Sequence, residues 1–180
     1  MDFTKLANLI VLAGAFIHNA TADDAKNVYG NPLQPCSQDG MAKTGFDRSG
    51  KCVDEANDTG SHHICMNLSS ASSNGEDFCQ VTGQPDWCAD TMPCHEDEHT
   101  ECPVENWCVC QWAFEGYLAS AGGCDAVQEI ECESVNIKAV EAYKEDKEKH
   151  ADALACLTER CNLKWEGDDV TDGKVAMKMA

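Results

Sequence analysis

Cysteine and histidine are the reactive residues of this chain, and three groups of them stand at spacings that can support chemistry. Cys108-Val109-Cys110 directly follows Trp107. A Cys-x-Cys pair can cycle as a redox dithiol or give two thiolates to a metal, provided its pKa is lowered, as it is at a helix N-terminus. Apolar residues at 107, 110, 114, 117, 118 and 121 keep helical spacing up to the stop at Gly122-Gly123, so both thiols are expected in the first turn of a helix. The pair is one residue short of thioredoxin spacing, and each cysteine can equally make a structural disulfide with a distant partner. His62-His63-Ile64-Cys65 is the second group. His62 can complete a zinc site with cysteines or act as base for a cysteine nucleophile; its plainer role is a hydrogen bond to a carbonyl in a turn. The third group holds Cys94, His95, His99 and Cys102, bracketed by Pro93 and Pro103 and filled with Glu96, Asp97, Glu98 and Glu101. An acidic loop closed by a Cys94–Cys102 or neighbouring disulfide is simpler there than a metal knuckle. Trp87, Trp107, Trp112 and Trp165 can stack on a sugar, although tryptophan beside cysteine commonly packs on a disulfide.

The elements that must position these residues are unevenly spread. Residues 23 to about 105 are loop-rich, with turn signals at Asp39-Gly40, Ser49-Gly50 and Asn74-Gly75. His63 to Leu68 alternates enough for a short strand, and Phe78 to Val81 is a short apolar piece. This half cannot hold together by apolar burial alone and needs cross-links, at about 2–4 kcal/mol each. The second half reads as the helix ending at Ala121, a strand or extended link over 126–132, a helix from Val135 toward Lys149 capped by Ser134, and a third over 152–161. The fold expected is α+β: a small disulfide-rich domain whose loop and short-strand N-terminal half packs on two or three helices. The tail after Trp165 is polar and expected to be disordered.

The N-terminus reads as an export signal. A lysine at position 5 precedes an apolar run over 6–17, and Ala20-Thr21-Ala22 is a small-x-small cleavage site. The run is too short for a membrane span, which needs roughly 20 residues. Thirteen cysteines, all between Cys36 and Cys161, are then expected to be oxidised, and the odd number leaves at least one free, blocked, metal-bound or paired to another chain. The net charge of −19 repels phosphate backbones and anionic lipid, so nucleic acid is not an expected partner. No Gly-rich phosphate loop, serine elbow, basic patch or calcium-loop spacing occurs in the sequence. Asn57-Asp58-Thr59 and Asn67-Leu68-Ser69 are glycosylation sequons, expected on exposed loops.

A series of short motifs also has a likeness. It consists of Asn27-Val28-x-Gly30, Leu33-x-Pro35-Cys36-Ser37, Thr44-Gly45-Phe46-x-Arg48-x-Gly50-x-Cys52, Asp58-x-Gly60-Ser61-His62-x-Ile64-Cys65, and Trp107-Cys108-Val109-Cys110. In that order, over roughly residues 27 to 145, the chain resembles the uncharacterised family called domain of unknown function 2237. Here a cysteine-rich insert, Phe78 to Cys102, replaces the family's middle, and Glu131-Cys132-Glu133 stands near the place of its usual Thr-His pair. The resemblance implies a fold family and no activity. It also implies a partition. Cys36, Cys52, Cys65, Cys108 and Cys110 have family counterparts in chains without signal peptides and can serve a site. Cys79, Cys88, Cys94, Cys102, Cys124, Cys132, Cys156 and Cys161 are additional and can make four disulfides.

These readings give a signal peptide over 1–22, a cysteine-rich family domain over 23–150, and a helical extension and tail over 151–180. The leading expectation is a secreted or secretory-lumen binding or structural module with a carbohydrate or protein ligand and no resident cofactor. The alternative is a thiol-redox or zinc-dependent enzyme. Its catalytic candidates are Cys108, Cys110 and His62, and its metal candidates are those three with Cys36, Cys52 and Cys65. An intermolecular disulfide from the odd cysteine is a further expectation.

Overall fold

The computed structural model describes residues 24–164; the expected signal segment, Trp165 and the tail lie outside these residues. The architecture is α+β, with two small antiparallel sheets, four helices and six disulfides among the described residues. The main sheet has three strands in the order β4-β1-β5, formed by β1 (Ile64–Asn67), β4 (Asn106–Val109) and β5 (Glu129–Ile130). The second sheet is a hairpin of β2 (Thr91–Pro93) and β3 (Glu101–Pro103). The helices are α1 (Phe78–Thr82), α2 (Gln111–Ala121), α3 (Ile137–Glu145) and α4 (Ala151–Arg160).

The register of β1 on β4 sets Cys65 opposite Cys108 and Met66 opposite Trp107. Trp107 is therefore in a strand. The helix expected to begin there starts at Gln111, because pairing with β1 takes the 106–109 backbone hydrogen bonds first. Helical spacing from Trp107 was a strand followed by a helix, and the apolar residues of the strand are buried on both faces. Cys108 consequently lies outside the helix, and Cys110 is its N-cap residue. The helix ends where Gly122 adopts a left-handed φ of 99° and its N–H returns to the Leu118 carbonyl.

Further along, Asn136 rather than Ser134 caps α3, its side chain accepting from the Lys138 N–H. That helix stops at Glu145, short of the expected Lys149. The 126–132 link contributes only Glu129 and Ile130 to the sheet. α1 was not foreseen as a helix. Its local signal is a capping box: Asp77 accepts from the Gln80 N–H, and the Gln80 side chain accepts from the Asp77 N–H.

One core joins the main sheet to the helices, with Ile64, Met66, Phe114, Tyr117, Tyr143 and Leu157 fully enclosed. Buried polar groups in it are paired. Gln128 accepts from the Phe78 N–H and donates to the Leu68 and Ser70 carbonyls, while the Tyr143 hydroxyl donates to the Gln111 carbonyl at 2.6 Å. Burial holds the Tyr143 hydroxyl far above the usual tyrosine range, so it stays a donor.

A second buried cluster is made only of Cys36, Cys52, Cys65 and Cys108. Although Cys65 and Cys108 face each other across the strands, they are not bonded to one another. Cys65 bonds Cys36 and Cys108 bonds Cys52, so both disulfides pull the 36–52 loops onto the sheet. The other four bonds are Cys79–Cys88, Cys94–Cys102, Cys124–Cys156 and Cys132–Cys161. Those eight cysteines thus pair among themselves, and Cys110 is the free one.

Candidate functional site

The loops held on the sheet by these cystines bring together the Thr44–Gly50 and Asp58–His62 segments. The first is a tight loop. Gly45 has a φ of 93°, and a Cβ there would meet the Lys51 carbonyl oxygen at 2.6 Å, so only glycine fits. Arg48 also takes a positive φ, 57°, as does Ser61 at 50°. Non-glycine residues in this region are uncommon and cluster at functional sites.

In the second segment Asp58 is the organiser. Its carboxylate accepts from the Gly60 N–H at 3.1 Å, the His62 N–H at 2.7 Å and the His62 ring at 2.7 Å. The Asp58 side chain is buried, while His62 is 35% exposed. Burial works against the charge on Asp58, but the hydrogen bonds from His62 and Gly60 outweigh it and hold the carboxyl below its ordinary range. An ionised carboxylate only accepts, so the Nδ1 of His62 carries the proton and Nε2 is not used by Asp58. At Gly60 a Cβ would lie 2.6 Å from the His62 ring, so a side chain there would make the ring shift.

Around His62 the segments form a cleft of about 270 Å³ lined by Gly45, Phe46, Arg48, His62, Trp107 and Cys108. The exposed Phe46 ring stacks on the His62 ring at 6.1 Å and 20°. The Arg48 guanidinium lies 5.0 Å from the centroid of Trp107, in cation–π contact. Arg48 belongs to none of the ion pairs among the described residues. Its neighbour Asp47 directs a carboxylate oxygen to the Ser49 N–H.

Behind His62 is a smaller pocket of about 70 Å³, which includes Cys110, Trp87, Trp107 and Gln84. His62, Trp107 and Cys108 line both cavities. Cys110 and His62 thus line one cavity, and the His62 ring is bonded to Asp58 on its other side, an arrangement that offers a thiol and a base oriented by a carboxylate.

The other sites expected from sequence fare differently. The Cys108-Cys110 dithiol does not form, because the Cys108 sulfur is bonded to Cys52. Cys36, Cys52, Cys65 and Cys108 crowd together, three of their sulfurs within 4.8 Å of one another, yet all four are consumed in disulfides and provide no thiolate to a metal in this form. His95 and His99 do not converge: His95 packs beside Gly50 with Nδ1 3.2 Å from the Ser37 hydroxyl, and His99 is exposed at the tip of the β2–β3 hairpin. Trp87 and Trp107 pack on each other at 5.6 Å, and Trp112 is 41% exposed beside His150. Asn57 is exposed. Asn67 is half-buried, with its side-chain oxygen accepting from the Ser69 and Ser70 amides. Phe46 and Arg48, the residues that build the cleft with His62, stand out in the sequence only as family motif positions, since nothing in their spacing tells that they share a cleft with a histidine fourteen or more positions away.

The fold and site define a disulfide-cross-linked α+β domain with a cleft around His62. Residues 26–151 match the family described as uncharacterized protein conserved in bacteria, DUF2237, and the chain belongs to that family. No curated protein matches the chain. The family match ends at the first residue of α4, and Cys124–Cys156 and Cys132–Cys161 fasten that helix to the matched part. Among the described residues no helix is long and apolar enough to cross a membrane.

Proposed function

We propose that this protein is an exported, disulfide-stabilised binding module whose ligand site is the cleft of Phe46, Arg48, His62 and Trp107. The observation that carries this reading is convergence. Three separate sequence motifs deliver a cation, an oriented imidazole and two aromatic rings to one concavity, and two cystines beneath it fix the loops. Six disulfides in one small domain fit an oxidising compartment, and the charge of −19 keeps such a module soluble.

The test is to express the full chain through a secretory pathway and record amide and indole NMR spectra with small aromatic fragments. Saturable shifts confined to Phe46, Arg48, His62 and Trp107, and lost in Phe46→Ala, support the reading. Fragments that leave these resonances unmoved while shifting another surface would sink it.

A second reading has its own observation, the pocket that Cys110 shares with His62, whose ring Asp58 holds. In it the Cys110 thiol passes its proton to Nε2 of His62 and attacks an electrophile as thiolate. Alkylation by iodoacetamide distinguishes the two. A Cys110 rate that falls tenfold or more in His62→Ala favours the thiol reading; a rate unchanged by that substitution leaves Cys110 as a bystander.

A further inference from the structure

We propose that the cleft selects a small monoanionic ligand, a carboxylate on an aromatic or apolar body, held by Arg48 and His62. This deepens the binding reading above and rests on it.

The argument begins with charge. The chain has 13 Lys and Arg against 32 Asp and Glu, and Arg48 is a basic side chain that lines a cleft without an acidic partner among the described residues, so it is available to an anion from outside. Lys43, whose carbonyl the Arg48 side chain approaches, is neutralised by Glu98 at 2.6 Å. Arg48 instead lies over Trp107, and the one hydrogen bond of its guanidinium among the described residues is a long one of 3.4 Å from Nη1 to the Lys43 carbonyl. The stacked face leaves the edge of the guanidinium, with most of its N–H donors, unused.

His62 makes the second contact. Because its Nδ1–H is given to Asp58, Nε2 is held in one direction by a buried anchor rather than rotating freely. An anion seated between that nitrogen and Arg48 receives charge-assisted hydrogen bonds from the guanidinium, and shares a proton with Nε2 when the ring or the acid brings one. Two aromatic side chains share the lining with these polar groups: Phe46, 43% exposed and stacked on the His62 ring, and the largely buried Trp107. About 270 Å³ accommodates a body the size of one ring.

A carboxylate fits better than a phosphate or sulfate dianion. One guanidinium fork matches one carboxylate in two parallel bonds. Each further negative charge on the ligand must be brought against the field of a −19 protein, with Asp47 and Asp58 close by and no second unpaired cation in the lining. A bare carboxylate such as acetate makes the polar contacts but leaves Phe46 unused.

The experiment compares benzoate, benzyl alcohol, benzamidine, acetate and inorganic sulfate against the full secreted protein, followed by NMR shifts of the Trp107 indole and the His62 ring. Benzoate is expected to bind tightest, with acetate and sulfate each at least tenfold weaker and benzamidine not detected. Arg48→Gln is expected to weaken benzoate about tenfold to a hundredfold, the loss of a charge-assisted pair, while leaving benzyl alcohol unchanged. Arg48→Lys keeps the charge and loses the fork, and is expected to fall between. Far-UV circular dichroism and thermal melts confirm that the variants fold. Benzyl alcohol or benzamidine binding as tightly as benzoate would overturn the anion preference while keeping the cleft as a site. Silence of the cleft resonances to all five probes would remove the cleft reading as well.

Discussion

The six cystines differ in how much chain they close, and this difference predicts how much each contributes. Cys52–Cys108 spans 56 residues and Cys94–Cys102 spans 8. Closing a loop in the unfolded chain costs entropy that grows with the logarithm of its length, giving about 4 kcal/mol for the long closure and about 2.5 kcal/mol for the short one. All four sulfurs are buried, so the holes left by Cys→Ala changes are similar and largely cancel in the comparison. Each pair is replaced as a double alanine variant, which leaves no new thiol to scramble the rest. At roughly 4 °C per kcal/mol for a domain of this size, the melting temperature should drop by about 16 °C for Cys52→Ala/Cys108→Ala and about 10 °C for Cys94→Ala/Cys102→Ala. Scanning calorimetry under non-reducing conditions reads both. Equal losses, or a larger loss for the hairpin pair, would refute the argument that restraint of the unfolded chain dominates. The long-range variant has a second expected effect. Because Cys108 lines the cleft, the Trp107 indole resonance should broaden or move in it and stay in place in the hairpin variant.

Three further predictions concern single residues. Alkylation of the native, unreduced protein should add one label, at Cys110, and peptide mapping that finds a second labelled cysteine would contradict the pairing scheme. Asp58 should make stability depend on acid. Its folded pKa is depressed, so its contribution is present above the unfolded value of about 3.9 and is lost as pH falls through the folded value. The stability gap between wild type and Asp58→Asn should therefore be flat above about pH 5 and shrink below about pH 4; a gap independent of pH speaks against an ionised, hydrogen-bonded carboxylate. Gly45→Ala should cost about 2–4 kcal/mol in urea unfolding, because it combines a left-handed φ with a 2.6 Å contact on backbone. Gly75→Ala, with φ of 80° and open space around it, should cost only about 1 kcal/mol, and similar losses at the two sites would count against the steric argument.

The parts of the fold legible in the sequence are those decided locally. The strand at Ile64–Asn67 follows from its alternation, and the end of α2 from Gly122-Gly123. The start of α2 was misplaced because Trp107 satisfies helical spacing and strand pairing alike, and only the partner strand decides between them. α1 and the β2–β3 hairpin are too short to leave a periodic signal. Connectivity was out of reach for a combinatorial reason: eight cysteines alone allow 105 pairings. The cleft was only half legible. His62 stood out by residue type, but Asp58 was read as part of a motif rather than as the carboxylate that fixes the ring, and the approach of Arg48 to Trp107 depends on two cystines and a left-handed turn. Sequence reasoning set the reactive pair at Cys108 and Cys110; tertiary structure separates them by bonding the first to Cys52.

The fastening of α4 bears on where this molecule can be divided. The family match stops at residue 151, which invites a cut there, yet both cystines that secure α4 have one partner on each side of that cut. Trimming the chain at the boundary would widow Cys124 and Cys132 and, with Cys110, leave three loose thiols where the intact protein has one. Such a fragment, made in an oxidising lumen, is set up to knot to its neighbours or rejoin in the wrong order. A protease that nicks the 146–150 linker of the finished protein does no comparable harm, since the two pieces remain one covalent body until a reductant arrives. The appended helix is thus tied into the domain that precedes it, and the two must be inherited, expressed and engineered as a single unit.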